Sequence, residues 1–370
     1  MSMAEAAEET EAARAADNVA EAAEAATSSA TVSTSKLAWA RPEIETVAPG
    51  VHRAPLPLPM DGLTAVNVYI IETGDGLLLI DGGWSVPEGR AQLDAHLAKL
   101  GYSVHDIAEI LVTHIHRDHY SLASVLNQEL GTKVWLGDGE RENLELLQDE
   151  PRSGKLSFQM LSETGADHLI ASFHDWLDVQ PETARDWATP SAWLHDEMVI
   201  ERGNTRLRAI ATPGHTQGHF VFVDDERSLL YSGDHILPTI TPSVGFEAVR
   251  NTQALAAFLE SLQRVAQLGD LALMPSHGPV GMSSKERTLA LLAHHEERLE
   301  QILAQVDAGE TAYKVASDLQ WTRRQLTLDG LEPFSRALAV IETEYHLELL
   351  DARGVLTSEL VGGVRFYRRA

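Results

Sequence analysis

The pattern of apolar and polar positions changes character along the chain. Residues 1–35 are rich in Ala, Glu, Ser and Thr and almost lack large apolar side chains. A helix there would have no face to bury, so the segment reads as a disordered, acidic tail without chemistry of its own. From about Val51, short apolar runs bounded by Gly, Pro and Asp take over. Val66–Ile71 and Leu77–Ile80 read as strands joined by a Gly74-Asp75-Gly76 turn. Arg90–Leu100 has helical spacing and Gly101 to cap it. Ile107–Val112 predicts a strand, Ser121–Leu130 a helix and Lys133–Leu136 a strand. Later strands fall at Leu207–Ile210, His219–Val223, Ser228–Tyr231 and Leu271–Met274. Mingled strands and helices predict an α/β layered protein.

Two stretches break this rhythm. Residues 140–197 read mostly as helix and carry Phe158, Phe173, Trp176, Trp187 and Trp193, an insertion that either packs as core or lines a pocket. Beyond Ser284 the chain is helical over Lys285–Val306, Thr311–Leu319 and Ser335–Asp351, then ends in two short strands around Gly362-Gly363. Three helices and a terminal hairpin suggest a winged-helix module over 284–370, which leaves 36–283 as the main domain.

Composition narrows the chemistry. The 370 residues contain no cysteine, which excludes disulfides, thiol catalysis, Cys-ligated zinc and iron–sulfur clusters. Any metal must be held by His and carboxylate. The net charge is −26, of which the tail holds −6 (seven acidic side chains, one basic) and the region after Ser283 holds −3 (14 acidic, 11 basic), leaving −17 between. Such acidity argues against nucleic acid and anionic membrane as partners. No apolar run approaches the ~20 residues of a membrane span, and no secretory signal pattern opens the chain, so the expected location is the cytoplasm.

Thr113-His114-Ile115-His116-Arg117-Asp118-His119 follows a predicted strand and puts three imidazoles and a carboxylate within six residues. Imidazole and carboxylate suit zinc, and also iron or manganese. Three more strand ends carry ligand-type residues: Thr212-Pro213-Gly214-His215-Thr216-Gln217-Gly218-His219, Ser232-Gly233-Asp234-His235 and Pro275-Ser276-His277-Gly278. Asp81-Gly82-Gly83 adds an acid on a glycine-rich turn.

This ordered set resembles the metallo-β-lactamase superfamily of hydrolases over Val51–Ser283. The resemblance implies an αββα sandwich with two divalent metal ions, zinc foremost, along one edge. It implies that His114, His116 and His215 bind one ion, that Asp118, His119 and His277 bind the other, and that Asp234 bridges them. Asp81 is expected to orient a ligand imidazole, and His219 and His235 to lie behind the ligands or pack. His294 and His295 read as solvated, beside Glu296 and Glu297. The absence of cysteine, with Asp234 after Gly233, is similar to the glyoxalase II, lactonase and nuclease branches rather than to cysteine-ligated β-lactamases. His116 stands where flavodiiron proteins have Glu.

The expected activity is metal-dependent hydrolysis of an ester, thioester or lactone by a metal-bridged hydroxide, with Asp118 shuttling a proton to the leaving group. The alternative is a phosphodiesterase or endoribonuclease of the same fold, which the charge disfavours. The expected partner is a small acyl substrate. The apolar face of Ser335–Asp351 would pack on the main domain or in a homodimer. Nothing in the sequence names the acyl group or the leaving group.

Overall fold

The computed structural model describes residues 38–59, 62–149, 155–178 and 183–370. The predicted tail at 1–35 lies outside them. Of the described residues, Ala38–Ala40 form one turn, and Pro42–Ala370 form the main unit.

Two sheets build that unit. The first runs in sequence order through β1 (Glu45–Ala48), β2 (Val51–Pro57), β3 (Ala65–Glu72), β4 (Leu77–Ile80), β5 (Ile107–Leu111), β6 (Lys133–Gly137) and β7 (Ala192–Leu194). Its first four strands are antiparallel and the rest parallel. Parallel neighbours need crossovers. Here these are α1 (Pro87–Leu100), α2 (Arg117–Leu130) and, between β6 and β7, α3 (Arg141–Asp149), α4 (Lys155–Glu163) and α5 (Ile170–Asp178). The second sheet has the order β12-β11-β10-β9-β8, from β8 (Met198–Arg202), β9 (Thr205–Ala211), β10 (Phe220–Asp224), β11 (Leu229–Gly233) and β12 (Ala272–Pro275), with α6 (Ala254–Ala266) crossing between the parallel β11 and β12. The chain closes with α7 (Ser284–Gln305), α8 (Ala312–Asp318), α9 (Pro333–Ala352) and the hairpin of β13 (Leu356–Val361) and β14 (Val364–Arg369).

Alternation along the strands creates the layers. Tyr69 and Ile71 of β3 meet Phe220 and Phe222 of β10 between the sheets. Val68 and Ile70 face the other way, onto Leu93, Leu97, Leu122 and Leu126 of α1 and α2. Val221 and Val223 do the same on the opposite side, in one cluster with Leu255 and Phe258 of α6, Leu291 of α7 and Val340, Ile341, Leu347 and Leu350 of α9. Strands buried on both faces read as continuous apolar runs, which makes them visible in the sequence. This is the αββα sandwich of the expectation. Phe222→Ala should cost about 3–5 kcal/mol in urea unfolding, because the fully buried ring fills the inter-sheet layer.

The stretch 140–197, read as mostly helix, holds three α-helices and also Ala192–Leu194, a sheet strand too short to show alternation. One expectation needs correction. His295 is not solvated: it is fully buried, with Nδ1 3.2 Å from His346 Nε2. Its helix face is that of Leu291 and Leu299, four residues either side, and these outweigh the adjacent glutamates. Trp187 and Phe173 are core residues, and the Trp176 side chain lies outside the described set.

Candidate metal centre

The C-terminal ends of β4 and β5 in one sheet, and of β9, β11 and β12 in the other, reach one edge of the sandwich. The loops leaving them, with the first turn of α2 for Asp118 and His119, carry every residue of the predicted site. Asn67 of β3 ties this edge together, donating through Nδ2 to Pro275 O and Gly278 O at 2.9 Å each, while Phe220 N donates to Thr113 O at 2.7 Å.

His114, His116 and His215 form one group. His114 Nε2 lies 2.9 Å from His116 Nδ1 and 3.2 Å from His215 Nε2, and the last pair is 3.1 Å apart. The outward nitrogens fix the tautomers. His116 Nε2 donates to Phe246 O (2.7 Å) and His215 Nδ1 to Ser243 O (2.6 Å). His114 Nδ1 lies 3.0 Å from Thr113 Oγ1, whose hydroxyl donates to Asp81 Oδ2. Burial holds all three imidazoles below the usual histidine range, so they are neutral. Three bare nitrogen lone pairs therefore face one point. Nitrogens about 2.0–2.1 Å from a tetrahedral ion stand roughly 3.3 Å apart, close to this spacing.

Asp118, His119 and His277 form the second group. His119 Nδ1 bonds Asp81 Oδ2 (2.9 Å) and His277 Nδ1 donates to Ala65 O (2.8 Å), so both Nε2 atoms point into the site. Asp118 Oδ2 lies 3.5 Å from His119 Nε2 and 3.3 Å from His277 Nε2. Asp234 stands between the groups: Oδ1 is 3.7 and 3.5 Å from those two nitrogens, and Oδ2 is 3.8 Å from His215 Nε2. His119 Nε2, His277 Nε2 and Asp234 Oδ1 are buried without a hydrogen-bond partner. Orphaned buried polar atoms are costly, and a cation satisfies all three at once. Without one, protons serve. Burial opposes the charge on His119, but Asp118, Asp81 and Asp234 push it up to about 10. His277, likewise opposed by burial, is pushed up to about 9 by Asp234 and Asp118. The donor set fits divalent metal.

Residues 61–277 match the family described as the metallo-beta-lactamase superfamily. The chain belongs to this superfamily. Among its relatives is the probable metallo-hydrolase YqjP of Bacillus subtilis, 24% identical over 82% of this chain and 93% of that one. The metallo-beta-lactamase family protein TTHA1429 from Thermus thermophilus is a solved structure of TM-score 0.72 and 30% identity, covering 88% of this chain and all of that one (100%). The atrochrysone carboxyl ACP thioesterase of Aspergillus fumigatus is 25% identical over 67% of this chain, which spans about half (46%) of that relative.

Around the ligand-type residues of this superfamily member, Asp81 has an uncommon positive φ of 63°. Its carboxylate accepts from Thr113 N (2.7 Å), the Thr113 hydroxyl, the Ser276 hydroxyl (3.1 Å) and His119. Such strain needs dense support, here four donors. Asp81→Asn should weaken metal binding about 10–100-fold, measured by competition with a chelator, because the His119 tautomer is no longer held. His219 bonds Thr212 Oγ1 through Nδ1 (2.8 Å) and accepts the Asp234 amide at Nε2 (3.2 Å), so it sits behind Asp234. His235 is not drawn to the ligands; its ring packs edge-on against Phe258 at 5.0 Å, and burial pushes it down to about 3. Arg117 lies over the Trp84 ring. Glu140, Asn143 and Glu247, which also support this edge, are absent from the expected site. A signal exists for Glu140: Gly137-Asp138-Gly139-Glu140 is a carboxylate on a glycine-rich turn past a strand, like Asp81.

Proposed function

We propose that this protein is a zinc-dependent hydrolase with two metal ions that cleaves a thioester, ester or lactone. The carrying observation is the convergence of orphaned His119 Nε2, His277 Nε2 and Asp234 Oδ1 beside three bare imidazole nitrogens. His114, His116 and His215 would hold one ion, Asp118, His119 and His277 the other, and Asp234 both. When bound, such ions polarise a carbonyl oxygen and bring the acidity of water toward neutral pH.

The chain's own residues supply orientation and proton transfer. The Phe246, Ser243, Ala65 and Asp81 oxygens hold the outward N–H groups, so each inward nitrogen is aimed before substrate arrives. Asp118 is opposed by burial, yet His119 and His277 hold it well below the usual carboxylate range. It is ionised and, at 13% side-chain exposure, more open to solvent than Asp234. Held so low it is a weak base, so it can take a proton only from a water more acidic than bulk water, and it gives that proton up readily at the leaving atom. Phe246, 6.2 Å from the His116 ring and 5.6 Å from Phe334, offers an apolar surface suited to an acyl group. The relative named as an ACP thioesterase supports a thioester first. The net charge of −26 supports a small acyl substrate over a polyanion. Residues 284–370 are read as a winged-helix-like appendage and the location as cytoplasmic; among the described residues no helix is long and apolar enough to cross a membrane.

Elemental analysis should find two zinc ions per chain. Acyl-glutathione, acyl-CoA and lactones should be hydrolysed faster than RNA or phosphodiesters by the loaded enzyme. Metal-free purified protein that binds no zinc, or faster phosphodiester cleavage, overturns the reading.

A further inference from the structure

A buried polar network lies behind the three-imidazole group, outside the residues assigned to the reaction. Where β6 ends, Gly137-Asp138-Gly139-Glu140 presses against the Gln217-Gly218 turn of the other sheet. A Cβ on Gly137 would meet Gly218 O at 2.0 Å, one on Gly139 would meet Gln217 O at 2.6 Å, and one on Gly218 would meet Glu140 Cγ at 2.4 Å. Only backbone fits on both sides of this contact. It drives the fully buried Glu140 side chain between the loops that carry the ligand-type histidines.

Both contacts made by one of its oxygens reach those loops. Glu140 Oε1 accepts from Ile115 N (3.4 Å), between His114 and His116, and from the hydroxyl of Thr216, next to His215. Glu140 Oε2 accepts from Asn143 Nδ2 at 3.2 Å. That amide also donates to Glu247 Oε2 (2.6 Å) and accepts Val249 N (2.9 Å), while Gln217 N donates to Glu247 Oε2 (3.0 Å). Glu247 thereby holds the segment whose Ser243 and Phe246 carbonyls accept the outward N–H groups of His215 and His116. Burial pushes Glu140 up to about 7, and burial with Glu140 beside it pushes Glu247 up to about 8. Keeping two carboxylates here costs stability, and packing alone is better served by apolar side chains.

We propose that Glu140, acting through Asn143 and Glu247, is the positioning residue that sets the spacing of His114, His116 and His215 and hence the affinity of that position for its ion. The inference rests on the metal-centre reading above.

Co²⁺ titration followed by visible absorption tests it in two backgrounds: His277→Ala, which leaves the three-imidazole position intact, and His116→Ala, which leaves the other. Glu140→Gln should weaken Co²⁺ binding about tenfold or more in the first background, with an altered spectrum, and by less than about threefold in the second. Leu262→Ala, in the α6 core, lowers stability without removing a contact to these loops and should move neither affinity. Equal losses in both backgrounds, or none in either, overturn the proposal. Failure of both backgrounds to bind Co²⁺ with Glu140 intact overturns the metal-centre reading instead. Should Glu140→Gln not fold, Thr216→Val removes one donor to the same oxygen, and a loss of about threefold confined to the first background is the result required.

Discussion

Asp234→Asn is expected to lower kcat/KM on the best acyl substrate by about 10³-fold or more and to reduce metal content from two ions to one. The substitution keeps the size of the side chain and the backbone bond from Asp234 N to His219. What it removes is the second acceptor oxygen and the negative charge. Oδ1 of Asp234 faces His119 and His277, and Oδ2 faces His215. An amide can present oxygen to only one side, and its NH₂ turned toward the other is a donor where an acceptor is needed. Elemental analysis and steady-state kinetics on the same preparation check both parts. Retention of two ions with less than a tenfold loss would remove Asp234 from the bridging role.

Metal binding should also be strongly and unequally dependent on pH. At pH 7 the three imidazoles of the first group are neutral, so an ion entering there displaces no proton. His119 and His277, pushed up to about 10 and 9, each hold a proton that must leave before Nε2 can bind metal. About two protons should be released per ion at the second position, so its affinity should climb about 100-fold per pH unit until roughly pH 9. Calorimetry in two buffers of different ionisation heat reads the proton count directly, and filling should be sequential at pH 6. Equal release at both positions would contradict the assignment. The same protons support the metal-free fold. Because these pKa values lie above the ordinary 6.5, their stabilisation is complete below that pH and is lost as pH rises through 9 to 10.

The ligand-type residues are legible because each follows an apolar strand by one to eight residues, and because His-x-His-x-Asp-His has few other uses. Helix starts are less so. Apolar spacing opens the first helix at Arg90, whereas it begins at Pro87, since proline tolerates the first turn. The strand Val51–Pro57 is hidden by Pro55 and Pro57, which break the period-two pattern. The link between Glu140 and Glu247 is invisible for a different reason. They are 107 positions apart in sequence, and only the meeting of two sheets joins them through Asn143. A carboxylate is ordinarily read as solvent-facing; Glu140 has its glycine-rich turn as a local mark, and Glu247 has none.

The division of the ligand-type residues between sheets has a mechanical side. His114, His116, Asp118 and His119 hang from one sheet, and His215, Asp234 and His277 from the other. Ions held by both sets would act as a buckle across the sandwich, so a chelator would do more than silence catalysis: it would let the halves part at that edge. The loaded chain gains resistance to unfolding in proportion to the logarithm of free ion over its dissociation constant. In a cell short of metal, the protein would then fall in abundance through proteolysis of its opened form, and metal supply would govern how long each copy lasts.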